Sequence, residues 1–399
     1  MALPASKDID IEIFNLSTEK ITDLLGAFGE VFISGQAYPV IKIKGHPEWD
    51  FTIPENPQLS FQEACQRRDF TINSMLMDII TGELIDELGA RKDIKHKLIR
   101  HTSPGVFKND PLRAYRACQL AARFDFKLHP DTIKLIQATP LTNLKAERIY
   151  EEFCKLLMLS RKPSIGLRYM QETGILERMH PSLFQLIGCQ QSPLHHPEGD
   201  VLEHTLLVVD QTAQLKDKSH YPLALMFAAL LHDTGKPQST RITGEKVTAY
   251  GHDVCGATVA AEFMRRITSN ARLIASVTTL IREHMRPVLL YKERERVSDK
   301  ALRKLINRVD FHELMLLAEA DFKGRTVERD FEVVRAWFDE RFQAAGIDPR
   351  QRIKPLVNGR DLVQLGYKPG QQMGRLLNTA FEWQLEGKNR DEILSRFKK

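Results

Sequence analysis

The stretch Ser6-Lys7-Asp8-Ile9-Asp10-Ile11-Glu12-Ile13 alternates acidic side chains with isoleucines. Because successive side chains of a strand point to opposite faces, this pattern predicts a strand with its acids on one face. Two carboxylates two residues apart, here Asp8 and Asp10, can hold Mg²⁺ ions for in-line phosphoryl transfer. The same alternation is also typical of a half-exposed strand without a metal, so the remainder of the chain decides between the two interpretations.

The bulk composition is that of an ordinary globular protein. The 399 residues are 42% hydrophobic and 27% charged, enough chain for about two to four domains with sizeable cores. Five widely spaced cysteines without a C-x-x-C pair indicate reduced thiols. No apolar run approaches the roughly eighteen residues of a membrane span, so we expect a cytoplasmic protein with no membrane partner. The net charge of +5 only mildly favours a polyanionic partner, and the oligomeric state is not indicated.

The order of patterns along the chain predicts four parts. Short β-rich runs and one helical stretch near residues 61–77 indicate a small α/β head. From about residue 108 the pattern is almost wholly helical, and Asp110-Pro111 is predicted to open the first clear helix. Pro- and His-rich residues 193–200 are interpreted as a linker. The expected parts are a head, a helical neck, a second helical domain and a C-terminal helical segment, at 1–100, 101–190, 191–330 and 331–399.

Two further features of the head suggest nucleotide chemistry. Asp50, in Trp49-Asp50-Phe51-Thr52-Ile53-Pro54, is a third acid at the end of an extended run, although a surface acid at a strand end is the simpler interpretation. The paired arginines of Arg67-Arg68-Asp69-Phe70-Thr71-Ile72-Asn73 can clamp a triphosphate bidentately. They are also consistent with a salt-bridge cluster between domains. This segment is predicted to open a helix that contains Met75, Leu76 and Met77.

The segment Asp110-Pro111-Leu112-Arg113-Ala114-Tyr115-Arg116 spaces an acid and two arginines three residues apart. On a helix Asp110, Arg113 and Arg116 would form one polar stripe. A carboxylate beside a guanidinium can accept from and donate to the Watson–Crick edge of a base. The alternative is that Asp110 is only a helix cap and that the arginines are solvated.

A second group of metal-binding residue types lies between residues 195 and 325. Four histidines and two aspartates occur beside small or apolar residues: His204, His232, Asp233, His252, His284 and Asp321. A single helical histidine is more often a packing residue, but this number of imidazoles and carboxylates suits a divalent transition metal that activates water. Lys236 can orient a phosphate, although a surface lysine is the simpler interpretation.

The motifs of residues 8–160 resemble the class II tRNA nucleotidyltransferase and bacterial poly(A) polymerase family. The resemblance is carried by KDID, RRDFTIN, DPLRAYRACQLAARF and Ala146-Glu147-Arg148-Ile149-Tyr150-Glu151-Glu152. It implies a polymerase-β-like head in which Asp8 and Asp10 bind Mg²⁺ and activate the 3′-hydroxyl of tRNA, with Asp50 as a supporting carboxylate. It also implies that Arg68 contacts the incoming nucleotide and that the base is selected by Asp110 and Arg113, with Arg116 beside them.

The second group resembles the HD phosphohydrolase superfamily in its order H…HD…D. The resemblance carries metal-ligand roles onto His204, His232, Asp233 and Asp321, with His252 and His284 as weaker candidates, and implies a divalent metal such as Ni²⁺, Mn²⁺ or Co²⁺. A head of the first kind and an HD domain in one chain are similar to the multifunctional CCA-adding proteins. This combination implies hydrolysis of phosphate-ended RNA, such as 2′,3′-cyclic phosphates, before nucleotides are added.

The sequence therefore predicts an α+β protein: a partial polymerase-β-like nucleotidyltransferase head, with a mixed sheet plus helices, followed by all-α neck, HD and tail domains. The expected reaction is two-metal addition of CCA, or of the terminal A, to the 3′ end of tRNA from CTP and ATP. One alternative is a poly(A) polymerase, because the family usually has Glu-Asp where this chain has Asn109-Asp110, and many members have Arg in place of Gln119. Others are an HD phosphohydrolase with an inactive head, and a non-catalytic RNA-binding protein.

Each end of the chain supports a separate prediction. In the family a segment resembling Gly-Gly-x-Val-Arg-Asp, a leucine-rich helix and a linker precede the metal strand, and Met1-Ala2-Leu3-Pro4-Ala5-Ser6 resembles the end of that linker. We expect Met1 to be an internal methionine, and the chain as written to bind Mg²⁺ but to hold a triphosphate poorly; robust CCA addition would contradict this. Near the C-terminus, Leu365-Gly366-Tyr367-Lys368-Pro369-Gly370 predicts two helices joined by a glycine turn, which can contact a tRNA backbone or pack on the HD domain.

Overall fold

The computed structural model describes residues 9–34, 40–53, 59–326 and 330–398. The chain forms two compact units. The first comprises Met1–Arg113 and His129–Leu135, and the second comprises Ala114–Leu128 and Ile136–Lys399. Within the described ranges, no helix combines the length and apolar character that crossing a membrane requires.

A four-stranded mixed sheet forms the centre of the first unit, as the sequence predicts. The strand order is β1-β4-β3-β2, with β1 parallel to β4 and the other neighbours antiparallel. Helix α1 packs on one face of the sheet, where Ile21 and Leu25 join Ile41, Ile43 and Phe51 in a small core. The elements are β1 Ile9–Glu12, α1 Thr18–Leu25, β2 Val31–Ser34, β3 Val40–Ile43 and β4 His46–Thr52.

The rest of the head is a series of short elements, and here one prediction is wrong. The helix expected to open in the segment that starts at Arg67, and to contain Met75, Leu76 and Met77, does not form. The observed helix ends at Arg67, and Leu76–Met77 is a strand. The Oδ1 atom of Asp69 accepts hydrogen bonds from the backbone N–H of Phe70 and from Asn73, which favours a turn over a continued helix. The elements are α2 Phe61–Arg67, a 3₁₀ turn Thr71–Asn73, β5 Leu76–Met77, β6 Leu84–Ile85, α3 Ala90–Lys95, β7 Leu98–Ile99 and α4 Val106–Asn109.

The helix predicted to open at Asp110-Pro111 begins three residues later than the acid. Asp110 is extended, its side chain accepts a hydrogen bond from the backbone of Leu112, and helix α5 runs from Arg113 to Phe124. Asp110 is therefore outside the helix, so the predicted three-residue stripe is not formed on one helix. Arg113 and Arg116 do lie in α5, beside the fully buried Tyr115.

The second unit is helical except for short strands, which the all-α prediction missed. In one hairpin, β9 pairs antiparallel with β10 around Gly244, whose φ of 60° is in the left-handed region that favours glycine. The remaining elements are β8 Lys127–Leu128, α6 Pro130–Ala138, α7 Ala146–Leu159, α8 Ser164–Glu172, α9 Ile175–Met179, α10 Pro181–Phe184, α11 Val201–Leu215, α12 Pro222–Leu231, α13 Lys236–Ser239, β9 Arg241–Thr243, β10 Lys246–Thr248, α14 His252–Ile267, α15 Ala271–Glu283, α16 Arg286–Lys292, α17 Asp299–Arg308, α18 Phe311–Lys323, α19 Glu332–Ala344, α20 Gly359–Gln364, α21 Gln371–Leu385 and α22 Arg390–Ser395.

The C-terminal helix pair is confirmed. Helices α20 and α21 flank the predicted turn, in which Gly366 and Gly370 have φ values of 88° and 149°. Leu362 and Met373 from these helices form a local core with Ile393 of α22. The glycines therefore reverse the chain so that two apolar helix faces meet.

A buried histidine in the second unit makes stability depend on pH. The His180 ring lies edge-on to Phe153 and Tyr115, and its Nε2 atom is 3.0 Å from the Tyr115 hydroxyl oxygen. Burial, together with the charge of Arg266, lowers the pKa of His180 from 6.5 to about 3. The folded protein therefore holds this imidazole neutral, whereas the unfolded chain protonates it below pH 6.5.

We expect His180 to reduce the free energy of unfolding as the pH falls from 6.5 towards 3, and to have no such effect above 6.5. The contribution approaches about 1.4 kcal/mol per pH unit within this window. Urea unfolding of the wild type and of His180→Gln at pH 7.0, 5.5 and 4.5 measures it. The variant should lose less stability than the wild type on acidification; parallel losses would contradict the prediction.

Candidate metal centres

The first candidate centre lies on the polar face of the head sheet. Asp10 in β1 and Asp50 in β4 are direct register partners in a parallel pair. Adjacent parallel strands lie about 4.8 Å apart, and partnered residues point to the same face. The alternate residues Trp49 and Phe51 belong to the opposite, apolar face. The fold thus brings together two acids that are forty positions apart in sequence. The other predicted ligand, Asp8, lies outside the described residues.

Basic side chains adjoin both strands of this acidic face. Lys42 of β3 donates to Asp50, so Asp50 has a charged partner. Arg68, which follows the last residue of α2, donates from Nη2 to Glu12 Oε2 at 2.9 Å. About a third of the Arg68 side chain, 35%, is exposed to solvent. Carboxylates and cations on one sheet face form a polar surface that suits a metal-bound polyphosphate.

Two of the predicted base-selecting residues, Asp110 and Arg113, belong to the first unit, and the side chain of each is hydrogen-bonded to the backbone. The Arg113 guanidinium donates to the backbone carbonyls of Arg67 and Val106, at 3.0 and 3.4 Å. These bonds fix its position and leave other donors of the guanidinium for a ligand. Asp110 accepts from the backbone of Leu112 through one carboxylate oxygen. This contact fixes the turn that precedes α5.

Two further positions of the segment DPLRAYRACQLAARF, Arg116 and Gln119, lie in the second unit. Arg116 is exposed on α5. Gln119, where many family members carry an arginine, is buried and only 2% exposed. Its side-chain nitrogen has no hydrogen-bond partner among the described residues.

The second candidate centre is built from residues at or near the ends of five helices. His232 and Asp233 follow α12, His252 starts α14 and His284 follows α15. Gly235 permits the close approach of two of these ends, since a Cβ atom there would lie 2.2 Å from the His252 carbonyl oxygen. His204 of α11 and Asp321 of α18 complete the group. All six side chains are buried.

Asp233 is the centre of this group. Its carboxylate oxygens lie 3.2 Å from His232 Nε2, 3.5 Å from His252 Nε2 and 3.8 Å from His204 Nε2. Asp321 Oδ1 lies 3.0 Å from the same His204 nitrogen. The fold therefore brings together the four predicted ligands and includes His252 and His284, which the sequence ranked as weaker candidates.

The imidazoles are oriented with their Nε2 atoms toward the carboxylates. In His232, His252 and His284 the Nδ1 atom is bonded to the carbonyl oxygen three residues earlier, at 2.9, 2.6 and 2.6 Å. A carbonyl can only accept, so Nδ1 carries a proton, and Nε2 is the nitrogen that can offer a lone pair to a metal. A metal-binding imidazole requires this tautomer.

The donor set fits a divalent metal ion. His232 Nε2 and His252 Nε2 are buried ring nitrogens without a hydrogen-bond partner among the described residues. Unpaired buried polar atoms are costly, and lone pairs that converge on carboxylates repel one another unless a cation lies between them. Mixed imidazole and carboxylate ligands suit a transition metal. The group thus has the composition and the unsatisfied atoms of a metal centre.

The electrostatics keep the carboxylates charged. Burial by itself raises the pKa of Asp233, but the neighbouring His232 and Lys236 hold the pKa well below its usual range. Burial likewise raises the pKa of Asp321, and the Arg325 guanidinium reverses the effect and holds the pKa low. Both groups are therefore carboxylates at neutral pH, as ligands must be.

The interpretation of Lys236 as a surface lysine is wrong. Lys236 is only 9% exposed, and its Nζ atom lies 2.6 Å from both Asp233 Oδ2 and Gln191 Oε1. Arg325, which sequence analysis did not single out, lies 3.1 Å from Asp321. These cations adjoin a cavity of about 620 Å³ lined by Asp233, Lys236, His252, His284, Asp321 and Arg325. A cavity with cations beside a candidate metal centre suits a phosphate-bearing ligand.

The segment 193–200, interpreted as a linker, is part of this centre. Leu194, His195 and His196 line the cavity, and Glu198 Oε1 accepts from His204 Nδ1 at 2.8 Å. Its sequence signal was its histidine content, which by itself does not distinguish a linker from a site. The two candidate centres together define a protein with a nucleotidyltransferase-type head and an HD-type metal centre.

Comparison with known proteins identifies the family. Residues 6–100 match the model of the poly A polymerase head domain, residues 125–186 the probable RNA and SrmB-binding site of polymerase A, and residues 201–321 the HD domain. The multifunctional CCA protein of Actinobacillus pleuropneumoniae is 34% identical over 288 residues, 68% of this chain and 67% of that protein. That of Aromatoleum aromaticum is 32% identical over 322 residues, 76% of each. The chain belongs to the multifunctional CCA protein family.

Solved structures confirm the fold. The Bacillus stearothermophilus CCA-adding enzyme in complex with CTP has a TM-score of 0.63 at 20% identity, over 98% of this chain and 87% of that one. The Thermotoga maritima CCA-adding enzyme complexed with tRNA has a TM-score of 0.60 at 18% identity, over 98% and 86%. The predicted nucleotidyltransferase class is thereby confirmed, and a head and an HD domain of this kind imply the use of divalent metal ions.

Proposed function

We propose that this chain adds C, C and A to the 3′ end of tRNA from CTP and ATP, and that its HD domain hydrolyses phosphate-ended RNA. The observation that carries the first activity is the register pairing of Asp10 with Asp50 in a chain of the multifunctional CCA protein family. The proposed division assigns transfer to residues 1–100, nucleotide and RNA contacts to 101–190, and hydrolysis to 191–330.

In the head, Asp8, Asp10 and Asp50 would hold Mg²⁺, which prefers carboxylate oxygens. The ions supply charge neutralisation and a lowered pKa of the attacking hydroxyl. Arg68 binds the triphosphate, and its exposed fraction supports this role since the guanidinium is accessible beside the acids. Lys42 offsets the negative charge of Asp50 until the nucleotide is bound.

Nucleotide choice is assigned to Asp110, Arg113 and Arg116. Arg113 supports this proposal most directly, since two backbone carbonyls hold its guanidinium in place. A fixed guanidinium can donate to one kind of base edge and reject another without a nucleic-acid template.

In the HD domain, His204, His232, Asp233 and Asp321 would hold a transition metal such as Ni²⁺, Mn²⁺ or Co²⁺, with His252 and His284 as further ligands. Such an ion supplies a water of lowered pKa for attack on phosphorus. Lys236 and Arg325 border the cavity and attract the phosphate group. One hydrolysis would open a 2′,3′-cyclic phosphate to a phosphate monoester, and a second hydrolysis would release inorganic phosphate and leave the hydroxyl that the head requires.

The transfer activity is tested with a tRNA that lacks its CCA end. The chain is incubated with CTP alone, ATP alone or both, and the 3′ ends are sequenced. We expect the 3′ ends to carry CCA only when both CTP and ATP are present. Runs of adenosine would instead identify a poly(A) polymerase, and the rate of extension tests the expectation of weak triphosphate binding.

A further inference from the structure

Glu198 is a buried carboxylate outside the predicted ligand set. Its side chain is 2% exposed, and its Oε1 atom accepts from His196 Nδ1 at 2.9 Å and from His204 Nδ1 at 2.8 Å. Its Oε2 atom has no hydrogen-bond partner among the described residues. A buried carboxylate is costly unless paired groups compensate for its lost hydration, so this position requires a reason.

His204 differs from the other imidazoles of the centre in how its Nδ1 atom is held. His232, His252 and His284 each use a backbone carbonyl three residues earlier, at a helix end. His204 lies inside α11 and uses the Glu198 side chain instead. The orientation of this one imidazole therefore depends on a side chain that substitution can remove.

The contact also decides which nitrogen of His204 faces the carboxylates of the centre. A carboxylate only accepts, so Nδ1 carries a proton, and Nε2 is the nitrogen left for a metal. Nε2 lies 3.0 Å from Asp321 Oδ1, within hydrogen-bond distance, and 3.8 Å from Asp233 Oδ2, so it is the nitrogen placed for a metal ion between the two carboxylates. A charged acceptor on Nδ1 also makes Nε2 a stronger ligand than a carbonyl acceptor does.

We infer that Glu198 is a positioning residue of the HD metal centre, which acts through His204 by fixing its tautomer and strengthening it as a metal ligand. This inference rests on the proposed metal site of the HD domain. In this role Glu198 acts through its contact with His204 Nδ1, the nitrogen that does not face Asp233 and Asp321. Partners of this kind commonly change metal affinity by about 10–100-fold.

The test is a Co²⁺ titration of the metal-depleted full-length chain, followed by visible absorption, which separates imidazole-bound Co²⁺ from ions held by oxygen ligands in the head. Glu198→Ala should weaken binding about 10–100-fold. Glu198→Gln retains an accepting oxygen but lacks the charge, so a smaller loss is expected. Glu203→Gln is the matched control, because Glu203 lies next to His204 in α11 but pairs with Arg168 at the surface.

The outcomes separate this inference from the function on which it rests. A wild-type chain that gives no imidazole-bound Co²⁺ spectrum would contradict the metal site itself. A wild-type spectrum, with Glu198→Gln and Glu198→Ala both binding Co²⁺ as tightly as the wild type, would overturn only the role of Glu198. Circular dichroism of the metal-depleted proteins completes the test: loss of the helical signal in both variants would show that Glu198 has a structural role instead.

Discussion

Asp233→Asn is expected to abolish the phosphohydrolase activity while leaving nucleotide addition intact. Asp233 is the residue around which three imidazoles converge, within 3.2 to 3.8 Å of its oxygens. The amide keeps the shape but removes the charge that holds a divalent ion. Loss of metal catalysis amounts to several kcal/mol, or about 10³-fold in rate. Release of phosphate from a 3′-phosphorylated or 2′,3′-cyclic nucleotide, with added Ni²⁺, Mn²⁺ or Co²⁺, measures it.

The matched control is Asp339→Asn on an exposed position of α19, which should hydrolyse at the wild-type rate. Metal removal by a chelator should reproduce the loss of hydrolysis in the wild type, and re-addition of the metal should restore hydrolysis only in the wild type. A hydrolysis rate in Asp233→Asn equal to that of the wild type would refute the assignment of the HD centre.

Asp10→Asn is expected to have an equally large effect on the other activity. Asp10 and Asp50 share a sheet face at adjacent strand positions, so the substitution halves the charge available from this described pair for Mg²⁺. Nucleotide addition to tRNA should fall about 10³-fold, because two-metal stabilisation contributes several kcal/mol. Primer extension with CTP and ATP measures the change, and phosphate release by the HD domain should be unaffected.

Asp23→Asn, on an exposed position of α1, is the control for charge loss in the head. It should extend tRNA as the wild type does. The assignment of Asp10 fails if Asp10→Asn extends tRNA at the rate of this control, since a metal ligand cannot be replaced by an amide without loss of affinity.

Local sequence patterns were sufficient to predict several elements of the fold. The acid–isoleucine alternation predicted β1 and its two faces, which the packing of Ile11 and Ile13 against the head core confirms. Glycines marked the turn between α20 and α21. Such features depend on near neighbours in sequence, where side-chain periodicity and backbone preference are informative.

Features that depend on long-range contacts were not predictable in this way. The prediction of a helix through Met75–Met77 was wrong because the Asp69 side chain forms a local hydrogen-bonded turn that competes with the helix. The burial of Lys236 and the role of Glu198 follow from partners brought together by folding, Asp233 and His204. A single sequence shows residue types, whereas the pairing of a buried charge is visible only in three dimensions.

One measurement tests the combination of two chemistries in this chain most directly. A tRNA that ends in a 2′,3′-cyclic phosphate at the position before CCA is incubated with CTP, ATP and both kinds of metal ion. The wild type should remove the phosphate and add CCA, whereas Asp233→Asn should leave this end unextended yet add CCA to the same tRNA with a hydroxyl end. Extension of the cyclic-phosphate tRNA by Asp233→Asn, or absence of CCA on both substrates with the wild type, would contradict the account.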